Sequence, residues 1–411
     1  MASIRMISLQ RYHDLFGIPE LRATIVASIA GRIPIGIAGL AILLFVQGRS
    51  GSFSLAGTAS ALYVLGLGVV APFLGRLIDR LGPRPVLTVC AITYPAALIG
   101  LAVLVLTSAP AASIHVMSVL AGATLPPISA CTRALYPKLL SDGALLHTAY
   151  SVDSALVEIV FIVGPALVAA CVAANRPEAA VLLAALSAAL GTAMFMRAPA
   201  VKRWTAARAL GERDVLGVLR DRRLLLVFGV TVLYSIAFGL FEVAVTAHAA
   251  AKGSPAAAGV ALALASVGSG TGAVVFGARH WRAPLKQQFV LALAVMAAGA
   301  LLLVPIDDLY VYAAGCLVAG VPMATVIATQ SLLLSRLSPR ARLAESFTWG
   351  TTCLLVGVSG GIAAGGVLAE TFPAHWLLVA AGASTALAAF LAATLLQSDD
   401  EGVAKRADEK K

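Results

Sequence analysis

Charge is nearly absent from most of this chain and recurs only in short stretches. Between those stretches lie twelve apolar runs of membrane length, at roughly 21–46, 55–74, 86–106, 114–134, 146–172, 179–196, 224–247, 256–278, 285–304, 309–334, 343–368 and 376–396. A helix of about 20 apolar residues crosses the hydrocarbon core of a bilayer, and inside lipid the backbone N–H and C=O groups must find partners within the protein. The chain is therefore expected to be an all-α membrane protein with twelve transmembrane helices. Hydrophobic residues make up 60% of the 411 and charged residues only 12%, which leaves little chain for a soluble domain.

A formal charge of +10 raises nucleic acid as a partner, but no basic recognition helix or basic and aromatic interleave is present, so none is expected. Basic residues near span ends are retained on the cytoplasmic side. With the N-terminus inside, the cytoplasmic segments hold 26 of the 30 Lys and Arg residues; Arg49, Arg176 and Lys252 fall outside, and Arg32 lies within the first span. The expected location is the plasma (cytoplasmic) membrane with both termini cytoplasmic. Residues 1–20 are polar and lack a cleavable signal-peptide pattern, so the first span is expected to direct insertion.

The longest charged interruption, 197–223, follows six spans and includes KRWTAARALGERD. It reads as a cytoplasmic linker lying along the inner membrane surface. On either side are an N-terminal six-helix half, 1–196, and a C-terminal six-helix half, 224–396. Residues 397–411 carry mixed charge and read as a disordered cytoplasmic tail. The halves look like repeats: a shift of 202 places Ala56-Gly57 on Ala258-Gly259, Gly75 on Gly277 and Arg80 on Arg282, and a shift of 198 places Ala121-Gly122 on Ala319-Gly320. Because each half has an even number of spans, the repeats would run parallel.

Between the second and third runs lies GRLIDRLGPRP, with Gly75, Leu77, Asp79, Arg80, Gly82 and Arg84. This turn resembles the signature loop between helices 2 and 3 of the major facilitator superfamily of secondary transporters, with Pro83 where the family usually has a basic residue. The equivalent stretch of the second half is GARHWRAP, with Trp281 at the position of Asp79. The resemblance implies two pseudo-symmetric six-helix halves, alternating access and a central cavity lined mainly by helices 1, 4, 7 and 10. It also implies that Gly75, Asp79, Arg80, Gly82 and Arg84 form a cytoplasmic gate that latches the outward-facing state. Asp79 would pair with nearby basic groups, Arg133 among them, and meet the start of helix 11 around 345–347, where unpaired amides favour an anion. Gly164-Pro165 is similar to the GP motif of drug:proton antiporters. Val160 and Val168, however, replace two of its glycines, and Ser118 stands where the helix 4 coupling arginine would be.

A charge inside the hydrocarbon is costly unless it faces a cavity or a partner. Arg32 and Glu158 each lie about 16 Å from the cytoplasmic ends of helices 1 and 5 at 1.5 Å per residue. They are expected to face the central cavity and to pair directly or through a ligand; the alternative is a permanent pair that locks the two helices. Asp153 is shallower and is assigned to the cytoplasmic gate. Glu242 lies near the outer end of helix 7, where it either sits on the proton path or snorkels to the headgroups. Tyr234 at the depth of Arg32 either presents a hydroxyl to the cavity or packs at a helix interface. Pro34, Pro126, Pro127 and Pro322 mark hinges, because proline removes a backbone hydrogen bond. The glycines of helices 8 and 11, Gly268, Gly270, Gly272 and Gly357, Gly360, Gly361, Gly365, are expected to form the sliding contact between halves.

The five cysteines sit in or beside apolar runs with no paired spacing, and no metal, cofactor or catalytic constellation is evident. Neither an enzyme nor a cofactor protein is expected. The reading is a proton-coupled exporter of a small organic molecule, monomeric in the lipid bilayer; the alternatives are a metabolite uptake symporter and a non-transporting sensor or scaffold.

Overall fold

Polar residues at the joints between apolar runs decide where the helices begin. The side chains of Ser52, Asp142, Asp221 and Asp308 accept hydrogen bonds from the first backbone N–H groups of the helices that follow them, satisfying donors that have no partner inside the helix. Prolines occupy the first turn of three others, at Pro19, Pro83 and Pro177, where a missing N–H costs nothing. The computed structural model describes residues 10–205, 217–254 and 256–396. The predicted tail and residues 206–216 of the predicted linker lie outside the described residues.

Among the described residues sixteen α-helices follow in order. A short α1 (Gln10–Gly17) leads into α2 (Pro19–Ser50), α3 (Phe53–Leu81), α4 (Pro83–Leu106), α5 (Ala111–Thr124), α6 (Ile128–Leu139), α7 (Gly143–Ala173) and α8 (Pro177–Arg197). After the five-residue α9 (Pro199–Arg203) come α10 (Arg222–Ala251), α11 (Ala256–Ala278), α12 (Leu285–Leu302), α13 (Leu309–Gly320), α14 (Pro322–Leu337), α15 (Leu343–Thr371) and α16 (Ala374–Leu395). With α5 joined to α6 and α13 to α14, twelve helical segments are long and apolar enough to cross a bilayer, and no strand occurs among the described residues.

Two spans are interrupted at prolines. Pro126 and Pro127 separate α5 from α6, and Pro322 begins α14 directly after Val321. Pro34 lies inside an unbroken α2, so of the predicted hinge sites only the other three coincide with a helix boundary.

The helices pack as two copies of one pattern. In the first half α2 packs on α8, α4 on α8, α3 on α5 and α2 on α7; in the second, α10 packs on α16, α12 on α16, α11 on α13 and α10 on α15. Each pair maps onto its counterpart by a displacement of six spans. The principal contacts between halves, α3 on α15 and α7 on α11, also exchange under that displacement, as a two-fold axis requires. The fold is therefore two pseudo-symmetric six-helix halves.

Close approach within each half depends on glycine. A Cβ on Gly191 of α8 would fall on the backbone of Gly31 in α2, and one on Gly164 of α7 on the backbone of Gly36. The second half uses the same device: Gly268 and Gly272 of α11 meet α13 and Val321, while Gly357 and Gly361 of α15 meet α10. Most of the glycines predicted to form a sliding surface between halves thus bind helices within the second half; Gly270 is the exception, facing Glu158 of α7 across the interface. Backbone contact at this range suits helices in lipid, where apolar side chains gain little by leaving one hydrocarbon for another.

Contacts between halves occur at the end that carries the basic residues, where the hydroxyl of Tyr12 donates to the Val274 carbonyl at 2.6 Å and Thr148 to the Gly277 carbonyl at 3.0 Å, and nearer mid-span, where Thr352 donates to the Gly68 carbonyl at 2.7 Å. Gly191→Ala is expected to force α8 away from α2 and to destabilise the purified protein by about 1–3 kcal/mol. Gly57→Ala, where the added carbon meets nothing within 4 Å, should leave the thermal melt unchanged in the same detergent.

Candidate functional site

Asp153 on α7 gathers most of the buried charge. It is fully buried; its Oδ1 accepts from Arg32 Nη2 at 2.5 Å and from the Tyr136 hydroxyl at 3.1 Å, and its Oδ2 from Arg133 Nε at 2.6 Å. Tyr150 extends the cluster by donating to the Arg133 carbonyl at 3.0 Å. Arg32 is only 1% exposed, and its Nε and Nη1 have no hydrogen-bond partner among the described residues.

The predicted direct pairing of Arg32 with Glu158 is therefore replaced by pairing with Asp153. Two physical reasons account for this. A helical side chain leans toward the N-terminus of its helix, so the long arginine reaches toward the basic end and meets the shallower acid. Residues 153 and 158 are also five positions apart, about 140° around the helix axis, so they face different neighbours. The same cluster claims Arg133, which pairs with Asp153 and not with Asp79.

Glu158 faces the second half. Its Oε1 accepts from the Ser269 hydroxyl at 2.8 Å, and the Ser269 oxygen accepts from the Ala324 N–H at 2.9 Å. This chain of bonds runs from the first turn of α14 through α11 to α7. Because α14 starts afresh at Pro322, the N–H groups of its first turn lack partners within the helix, and Ser269 takes one of them.

Beside Glu158 lies a cavity of about 390 Å³ between the halves. Ile35, Ser129, Val157, Phe238 and Met323 contribute to its walls, together with side chains of α11 and α15, so seven helices surround it. They include the four spans expected to line it, which supply α2, α6, α10 and α14. The charged side chains on the wall are Arg133, Glu158 and Glu242, and Phe161, Phe238, Phe241 and Phe347 supply rings. Arg32 and Tyr234 are not on the wall. Tyr234 is fully buried and donates to Gln330 Oε1 at 2.6 Å, while Gln330 Nε2 donates to Thr231 at 2.9 Å. The phenol holds α10 to α14 from behind, and the Gln330 amide that it orients lines the cavity.

At the basic end, Asp79 of α3 meets the start of α15. Its Oδ1 and Oδ2 accept from the backbone N–H groups of Ala344 and Glu345 at 3.2 and 2.8 Å. Arg76 Nη2 and Nε donate to Glu345 Oε1 at 2.6 and 3.1 Å, and the same oxygen accepts from the Val218 N–H at 3.5 Å. Asp79 and Glu345 are each 2% exposed. A Cβ on Gly75 would strike Thr348 and the Ala344 carbonyl, so glycine allows α3 to lie close enough for the aspartate to reach. Gly82 turns the chain into α4 with φ of 83°, a conformation that disfavours any side chain. Arg80 and Arg84 are exposed. Arg76 and the Glu345 carboxylate were not singled out in the sequence; an acid in the first turn of an otherwise apolar run was the available signal.

No group of three or more His, Cys, Asp or Glu side chains among the described residues could hold a metal ion. The sequence profile of the Major Facilitator Superfamily matches residues 24–278. An uncharacterized MFS-type transporter, y4rN, of Sinorhizobium fredii is 30% identical over 281 residues, covering 65% of this chain and 68% of the relative. Among solved structures, a bacterial homologue of the iron transporter ferroportin in an outward-facing state superposes with a TM-score of 0.75 at 14% identity, over 91% of this chain and 98% of that one. The human organic anion transporter MFSD10 (TETRAN) gives 0.69 at 17% identity, over 90% and 99%.

Removing one partner from a buried ion pair leaves an uncompensated charge. Asp153→Asn is expected to cost about 3–5 kcal/mol, seen as a lower melting temperature in detergent. Adding Arg32→Met to that variant should recover much of the loss.

Proposed function

Since the chain belongs to the major facilitator superfamily, whose members are secondary transporters working by alternating access, we propose that it exchanges protons for a small organic molecule and exports that molecule from the cell. The observation that carries this reading is a cavity between the halves with the carboxyl group of Glu158 on its wall, beside a bonded closure at one end.

The basic end is taken as cytoplasmic because lysine and arginine are retained on that side, so both termini lie inside and the protein sits in the plasma membrane. The Asp79 and Arg76 contacts to α15 then form the inner latch, and the cavity belongs to an outward-facing state. A relative of the same fold, the ferroportin homologue, is described in that state, which agrees with the assignment. A helix cap is worth about 0.5–2 kcal/mol, and an ion pair with a partly exposed member contributes little more. A latch of that strength is reversible: states separated by a few kcal/mol exchange readily, and a ligand shifts them by its differential affinity.

Glu158 is the coupling group in this scheme. Facing outward it takes a proton; facing inward it releases the proton and receives substrate. Ser269, which bonds Glu158 across the interface between halves, keeps the carboxyl in place while its protonation changes. The buried Arg32, Asp153 and Arg133 cluster keeps α2, α6 and α7 together as one body through the cycle.

In proteoliposomes with an imposed substrate gradient, wild type should move protons against the substrate, and Glu158→Gln should uncouple the two. An unchanged rate and pH dependence in Glu158→Gln would remove Glu158 from the mechanism. For the latch, spin labels on Arg80→Cys and Arg340→Cys in a cysteine-free background should report a short distance that lengthens when Asp79→Ala is added. Identical distance distributions would mean that Asp79 does not hold that end closed.

A further inference from the structure

Three charged side chains reach the cavity wall, and their order along its axis is informative. Counting along each helix from the basic end at 1.5 Å per residue, Arg133 on α6 stands at about 9 Å, Glu158 on α7 at about 22 Å and Glu242 on α10 at about 30 Å. A ligand arriving from the opposite end therefore passes two carboxylates before it reaches a guanidinium.

Their partners differ as much as their levels. Arg133 is bonded to Asp153 at 2.6 Å, and the neighbouring Arg32 is buried away from the wall on the same acid. Glu158 has a serine hydroxyl as its hydrogen-bond partner, and neither it nor Glu242 forms an ion pair among the described residues. The charge left for a ligand in the middle and mouth of the cavity is thus negative. The phenyl rings of Phe161, Phe238, Phe241 and Phe347 share that wall. Ring faces attract cations and accept apolar bodies, and a carboxylate-lined cleft with low-dielectric walls concentrates cations and repels anions.

We propose that the cavity binds an amphipathic organic cation, with its positive centre between Glu158 and Glu242 and its apolar body against the rings of Phe161, Phe238 and Phe241, which lie at the same level. The inference rests on reading this cavity as the transport site. It separates the chain from the fold relative described as an organic anion transporter. Binding of the cation at Glu158 and binding of a proton there are mutually exclusive, since both use the one carboxylate.

Tetraphenylphosphonium and tetraphenylborate share a shape and differ in the sign of their charge, so this pair tests the sign directly. Equilibrium binding of each to the purified full chain in lipid nanodiscs requires no transport. Saturable binding of the phosphonium is expected, with the borate about tenfold weaker or worse, and Glu158→Gln should lower phosphonium affinity by about the same factor. Glu158→Gln keeps an acceptor for Ser269 and should melt with wild type; Glu242→Gln should give a smaller loss. Tighter or equal binding of the borate, no saturable phosphonium binding, or phosphonium affinity unchanged in both folded variants overturns the proposal. Phosphonium binding that depends on Glu158, without proton exchange in proteoliposomes, upholds the ligand class and rejects coupled export. Coupled transport of another compound without phosphonium binding does the reverse.

Discussion

The amide groups at the start of α15 have no partner in their own helix, and Asp79 of the other half supplies one. Much of the architecture follows from that contact. Gly75 must lack a side chain for α3 to come near α15, Gly82 must turn the chain with a positive φ, and Arg76 then falls within reach of Glu345. With the halves joined at the basic end, space is left between them further along the axis, and the cavity occupies it. Val218, near the end of the segment between the halves, donates to the same Glu345 oxygen, so that end of the connection is fastened to the closure.

The buried cluster on Asp153 acts inside one half. Placing two guanidinium groups and a carboxylate in a low-dielectric interior is costly, and the arrangement is tolerable because Asp153 receives three hydrogen bonds from three different residues. Those bonds tie α2, α6 and α7 together behind the wall. They also explain the polarity of the cavity: with its arginines committed to Asp153, the first half presents Glu158 as its unpaired charge.

Much of this was legible in the linear chain because hydrocarbon imposes a simple rule on length and charge. Twelve spans and the two-fold repeat follow from run length and spacing, and most span boundaries lie close to those observed, but α3 continues through the charged motif to Leu81, so the turn expected over 75–85 narrows to Gly82 and Asp79 stands on the last turns of a helix. Depth was legible too, since each residue advances a helix by a constant rise. Direction around the axis was not. Arg32 and Glu158 share a depth yet face different neighbours, Tyr234 at that depth lies behind the wall, and most glycines of α11 and α15 meet helices of their own half. Helical rotation becomes meaningful only once the neighbour on each side is known.

Run length and repetition alone make this chain a twelve-span membrane protein of two related halves, because an apolar run has no other stable place and a duplicated pattern packs in a duplicated way. Which charges neutralise one another and which remain for a ligand depends on how the helices come together. Pairing is settled over a few ångströms between helices more than a hundred residues apart in the chain, as with Arg32 and Asp153, and no local pattern records that distance.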